Sequence, residues 1–178
     1  MAARAHSPLR PGGFTLIELM VVVAIIGLVA SVAIPVFSQM TLRTKTTERV
    51  FIMNRIKQAI MDYQLRVDSR PTWMMGNFNP PLPATSQKRA LDLSQPDWNL
   101  ILDPNDVEGA VYYSYQWWVW EFGGQSTLFI WARGDLDGDG NPSDKQVWYQ
   151  RIDGIYKCPW DPALCEWPAP GFEDQWGF

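Results

Sequence analysis

The pattern of apolar and polar positions divides the chain into three stretches. From Phe14 to Phe37 the positions are apolar almost without interruption and without a period. About 20 such residues cross a bilayer, so 14–37 predicts a membrane-spanning helix. From 38 to 70 the apolar residues thin to one stripe: Ile52, Ile56, Ala59, Ile60, Tyr63 and Val67 recur at helical spacing, while Arg55, Gln58, Asp62 and Arg66 fall on another face. No Gly or Pro lies between Val36 and Arg70. The helix is therefore expected to continue through Pro35 with a bend or a lost hydrogen bond, and to stop at Ser69-Arg70-Pro71. From Phe14 to Arg70 is 57 residues, about 85 Å of helix at 1.5 Å per residue. A domain this small cannot cover such a helix. Its first half needs lipid or other copies of the chain; its second half can dock its stripe on a sheet.

The remainder reads as a connection followed by a sheet. Residues 71–110 look irregular, because Asn79-Pro80-Pro81-Leu82-Pro83 suits no central element. Within them Ser94 can cap a short helix running to Leu102, with Asp103-Pro104 as its stop. Residues 111–178 hold three candidate strands, Val111–Phe122, Thr127–Arg133 and Gln146–Arg151, with a turn at Gly123-Gly124-Gln125-Ser126. Short connections imply an antiparallel meander that gains a core by packing on the helix. Val119, Leu128, Ile130, Val147 and Tyr149 are the expected core positions. The fold class is α+β: one long N-terminal helix packed on a small antiparallel β-meander. No internal repeat is visible.

Charge changes the picture at one point. Glu18 sits four residues inside the edge of the apolar run, where a carboxylate costs up to about 2.5–3.5 kcal/mol at mid-membrane. An anchor that only anchors has no use for it. Residues 1–13 carry Arg4 and Arg10 and no acid, which keeps that end cytoplasmic and everything after Pro35 outside. A cut between Gly13 and Phe14 would create a positive amine at Phe14, and Glu18 could pair with that amine on a neighbouring copy. An ordinary secretory signal, with Ala30-Ser31-Val32-Ala33 as its cleavage site, and an uncut anchor are the alternatives.

The stretch Gly13-Phe14-Thr15-Leu16-Ile17-Glu18 resembles the processing signal of type IV pilins and of type II secretion pseudopilins. The resemblance is specific over about Gly12 to Pro35 and only architectural beyond Arg70. It implies a leader at 1–13 removed by a prepilin peptidase that cuts after Gly13, and N-methylation of Phe14. It also implies assembly into a helical filament, and a pilin-like fold of the whole chain. Gly27 and Pro35 match positions where helices of this family loosen or bend in filaments. The subunit would sit in the bacterial inner membrane with a periplasmic domain, then move into a periplasmic or surface filament made of copies of itself or of related pilins.

A second motif lies at Gly134–Asp144. Asp135, Asp137 and Asp139 at alternate positions, followed by Gly140, form the first half of a calcium loop, with Asn141, Ser143 and Asp144 as further candidate ligands. The closing Glu of that loop is replaced by Gln146. Asp/Gly turns without metal are the alternative. Some type II pseudopilins carry calcium in this region, which the resemblance adds.

Cys158 and Cys165 read as one disulfide closing a short loop, or as two free thiols. The single histidine, His6, lies in the expected leader, so the processed chain would lack a histidine for a triad or a zinc site, and no nucleotide or hydrolase motif is present. The reading is therefore non-enzymatic. The formal charge is −4 and becomes −6 without Arg4 and Arg10; it argues against nucleic-acid binding. Arg43, Lys45, Arg49, Arg55 and Lys57 fit a solvated face better than a lipid or DNA stripe. The ten tryptophans suit packing, with a carbohydrate platform as the less favoured reading. The combined expectation is a structural filament subunit, pilus or secretion pseudopilus. The different-class alternative is a membrane-tethered calcium-dependent binding module.

Overall fold

Helix α1 runs from Leu16 to Val67 and carries Pro35 inside it. The computed structural model describes residues 13–67, 73–103, 107, 109–159 and 165–167. The expected leader residues 1–12, the helix stop at Ser69-Arg70-Pro71, and Pro104 lie outside them. The chain divides into two compact units between Met40 and Thr41. In the first unit every described residue is exposed except Ala30, which is half-buried. Its apolar window has mean hydropathy 2.8, long and apolar enough to cross a membrane.

The second unit is built on the later half of α1. Ile52, Met53, Ile56, Ala59, Ile60 and Gln64 form its buried face, and the apolar ones share a single core with sheet residues such as Tyr115, Trp117, Val119, Leu128 and Ile130. Of the stripe read from the sequence, Tyr63 is half-buried and Val67 stays exposed.

The main sheet is antiparallel in the order β1 (Trp73–Asn79), β4 (Ser114–Phe122), β5 (Gln125–Gly134), β6 (Ser143–Ile152), β7 (Ile155–Lys157), with β8 (Glu166–Trp167) also on β6. Strands β4, β5 and β6 are the expected meander; β5 and β6 extend past the expected ends and β4 begins later than expected. The turn between β4 and β5 is Gly123-Gly124 alone. Both residues have positive φ, 60° and 79°, as the hairpin twist demands.

Four expectations are corrected. Residues 71–110 are not only a connection: Trp73–Asn79 forms β1, paired with β4 from Trp73↔Trp120 to Gly76↔Trp117. Gly and Asn lower the strand signal there, but Gly76 is required because a Cβ would run into the Trp117 indole. The candidate strand Val111–Phe122 is broken at Tyr112-Tyr113. Ala110–Val111 (β3) leaves to pair with Arg89–Ala90 (β2). The break lets the Tyr112 N–H donate to Glu48 of α1 at 2.7 Å, while Lys45 and Lys88 each stand 4.8 Å from the Tyr112 ring centroid.

The short helix α2 spans only Pro96–Asn99. Gln95 is its N-cap without a side-chain bond, because the Ser94 hydroxyl is turned to the Asp92 carboxylate at 2.6 Å. Beyond β6 the chain adds Ile155–Lys157 (β7) and Glu166–Trp167 (β8), both on the far edge of β6. Asp153 and Gly154, with φ of 53° and 81°, make the β6–β7 turn.

Val119, Leu128, Ile130 and Val147 are buried as expected, and Tyr149 packs at the core margin under Lys57. A buried polar chain ties the helix to the sheet. Gln64 donates to the Tyr156 hydroxyl at 2.9 Å, which meets Ser126 Oγ at 2.8 Å, while Arg151 donates to Gln64.

Candidate functional site

Two places hold the candidate functional residues: the start of α1 and the loop between β5 and β6. At the start of α1, Phe14 is 78% exposed and Gly13 has open space around it. Glu18 has a partner that the sequence reading did not give it. Its Oε2 accepts the Thr15 N–H at 2.8 Å and the Thr15 hydroxyl at 2.7 Å, and Thr15 Oγ1 in turn accepts the Glu18 N–H at 3.3 Å. This is a reciprocal capping box, Thr at the cap and Glu three residues on, which satisfies donors the helix end leaves orphaned. Glu18 therefore has a polar partner within its own chain, in addition to the neighbouring amine expected from the sequence. The hydroxyl and amide stabilise the carboxylate without neutralising it, so a cation remains its natural complement. The signal was legible as Thr15-x-x-Glu18 before an apolar run.

Gly27 leaves a gap along the helix surface, with nothing within 4 Å of an added Cβ. A mid-helix Gly costs about 1 kcal/mol relative to Ala. Pro35 removes one helical donor, and the helix persists across it.

In the second place, the acidic loop follows β5. Asp135 accepts the N–H groups of Gly138 and Gly140 at 2.9 and 3.2 Å, and Asp139 accepts the backbone and side-chain N–H of Asn141 at 2.7 and 3.1 Å. These bonds hold the Asp139 carboxyl below its ordinary range, the backbone one contributing most. One oxygen each from Asp135, Asp137 and Asp139 lie within 4.8 Å of one another. The loop rests on α1 through Lys45, which donates to the Leu136 carbonyl at 3.2 Å.

Asp144 does not join the set. Its side chain is fully buried, paired with Arg133 at 2.7 and 2.6 Å and bonded by the Trp131 indole at 3.1 Å. The pairing raises the Arg133 pKa. The register that puts Arg133 opposite Asp144 on neighbouring strands decides this, and no spacing rule within the loop reveals it. The Asn141 side-chain N–H donates to Asp139, which leaves the Asn141 oxygens available to a cation. The carboxylate candidates reduce to Asp135, Asp137 and Asp139, three of the six to eight oxygens that calcium takes.

Cys158 and Cys165 are joined in a disulfide, with Cα atoms 5.8 Å apart. A groove of about 530 Å³ between α1 and residues 99–103 is lined by Arg55, Arg66, Asp62 and Asp103, whose charges cancel.

The comparisons with known proteins concentrate on the first place. A model of the prokaryotic N-terminal methylation motif matches residues 10–34. The N-terminal segment is similar to that of type IV pilins. A fimbrial protein of Neisseria meningitidis serogroup A is 40% identical over 60 residues, covering 34% of this chain and 35% of that protein. A type IV major pilin of Neisseria gonorrhoeae is 43% identical over 53 residues, 30% of this chain and 32% of that one. A fimbrial protein of Pseudomonas aeruginosa is 53% identical over 47 residues, 26% of this chain and 30% of that one. The chain thus spans about a third of the length of the curated relatives it matches. No solved structure matches it. The pilin signature therefore covers the first half of α1, and the long helix followed by an antiparallel sheet extends a pilin-like layout to the rest.

Proposed function

We propose that the chain is a structural subunit of a type IV pilus-like filament. It is cut after Gly13 and N-methylated at Phe14 by a prepilin peptidase/N-methyltransferase. The observation that carries this reading is an apolar helix surface without any cover of its own, residues 16–40, that bears a single carboxylate one turn from the expected new N-terminus. Before assembly, inner-membrane lipid covers that surface and Thr15 holds the Glu18 carboxylate. On assembly, α1 of neighbouring copies or related pilins replaces the lipid, and the Phe14 amine of one copy pairs with Glu18 of another. Two opposite charges at about 4 Å attract far more strongly in a low-dielectric filament core than in water. Gly27 and Pro35 give the helix places to yield as it packs. Mass spectrometry of the mature chain tests the processing. A first residue of Phe14 carrying one added methyl supports it; an intact Met1, or a start after Ala33, rejects it.

The three-carboxylate loop favours a second reading within the same family, a type II secretion pseudopilin. Deleting the gene separates the two: loss of surface filaments marks a pilus, loss of exported proteins marks a secretion pseudopilus. In either case we propose that Asp135, Asp137 and Asp139 take Ca2+, with backbone carbonyls and water filling the coordination. Melting the full chain in detergent with calcium and with chelator tests it, and equal midpoints reject the site.

A further inference from the structure

The face of the main sheet turned away from α1 has an unusual composition. Strand alternation and register order it in rows across the strands. One row is Met75, Trp118, Phe129 and Trp148. On one side of it run Trp73, Trp120, Thr127 and Gln150; on the other, Gln116, Trp131 and Gln146. None of these eleven positions is charged, in a chain whose residues are 19% charged. A sheet face meant only for water is normally polar and charged.

The middle of the face is built of packed aromatic rings. Trp118 and Phe129 stack at 5.1 Å with planes 10° apart, and Phe78 meets Trp131 edge-on at 5.0 Å. Trp73 and Trp120, opposite each other on β1 and β4, remain 59% and 48% exposed. Among the described strand residues, the charges bordering the rows are Arg133 and Asp144, which neutralise each other, and Lys157 at the β7 margin.

We propose that this face binds an uncharged polysaccharide. The C–H faces of its sugar rings would lie on the electron-rich faces of Trp73 and Trp120, and its hydroxyls would pair with Gln116, Gln146, Gln150 and Thr127. The charge pattern selects the partner. Single-stranded nucleic acid needs unneutralised cations beside the aromatic rings, and a charged peptide needs complementary charge; here Arg133, 4.9 Å from the Trp131 ring centroid, is neutralised by Asp144, and Lys157 stands at the far end of its row, beyond Gln150. A second copy of the chain would bury the amides against a surface that must satisfy every donor and acceptor of each one. A hydroxyl-rich chain supplies both at every ring.

The test uses the full chain as a dispersed subunit in detergent, so it does not depend on the filament reading. Cellohexaose and maltohexaose are titrated by calorimetry. Binding of either is expected, weakened about tenfold by Trp73→Ala or Trp120→Ala, the scale of one lost stacked ring. Gln150→Ala is expected to weaken it less. Both indoles stand half in solvent, and an unchanged melting midpoint certifies each variant's fold. The proposal is overturned by wild-type chain that binds neither hexaose, or by binding that both tryptophan variants retain. It is also overturned by preference for polygalacturonate or oligo-dT, or by concentration-dependent dimerisation that Trp120→Ala abolishes.

Discussion

The two halves of α1 use the same residue types to opposite ends. Ile25, Ile26 and Val29 in the first half are 57–60% exposed, whereas Ile52, Ile56 and Ile60 in the second are 3% or less. The difference is one of period. An all-round apolar surface has no polar side to turn to water, so no domain of this size can bury it and another medium must. A stripe has a polar back, so one sheet completes it. Hydrophobicity states only that a surface needs cover; its angular spread states whether the chain itself can provide it.

The sharpest way to break this comparison is Glu18→Ala. Filaments are expected to vanish while membrane insertion and the melting of the second unit stay as they were; electron microscopy and carbonate extraction read both. Normal filaments would remove the pairing with Phe14.

Next come matched truncations in the two halves. Ile56→Ala should cost about 2–5 kcal/mol, as deletions in packed cores do, while Val29→Ala should stay within about 0.5 kcal/mol in denaturant titration of the dispersed chain. Equal effects would mean that the first half is packed within the subunit.

Removing the Cys158–Cys165 bridge by a double Ser substitution acts only on the second unit. It is expected to cost about 2–3 kcal/mol from loop-closure entropy, read by the same titration, and to leave assembly competence intact.

The smallest effect lies at Asp139. Its carboxyl titrates below the ordinary 3.8 in the fold. A depressed folded pKa adds stability that is present above that ordinary value and is lost as pH falls through the folded one. Asn141→Ala removes the side-chain donor and leaves the backbone one, so the Asp139 titration, followed by carboxyl-carbon NMR, should move part of the way back up. No movement would show that Asn141 does not hold it.

Legibility varied with the range of the interaction. The exposed run, the stripe, the three meander strands and the pilin signature are local patterns and could be read directly. Thr15-x-x-Glu18 and the Asp153-Gly154 turn were also local and were overlooked. Each has a known signature, a capping box and a hairpin dipeptide. Strand β1 could not be read the same way. Gly76 weakens its pattern, and only the Trp117 indole from β4 explains why Gly stands there. Asp144 shows the same limit: in sequence it neighbours the acidic loop, but in the sheet it faces Arg133.

The order of residues alone was enough to determine where the helix must be, which half could find cover inside the chain, where the N-terminal methylation motif lies, and that the remainder would be a β-meander. These follow from spacing along one strand or one helix. Only the tertiary structure decided that Trp73–Asn79 joins the sheet, that the acidic loop keeps three carboxylates rather than four, and that a neutral aromatic face looks away from α1. Those outcomes depend on strand register, which brings together residues far apart in the chain, and a shift of a single residue would turn each side chain to the other face.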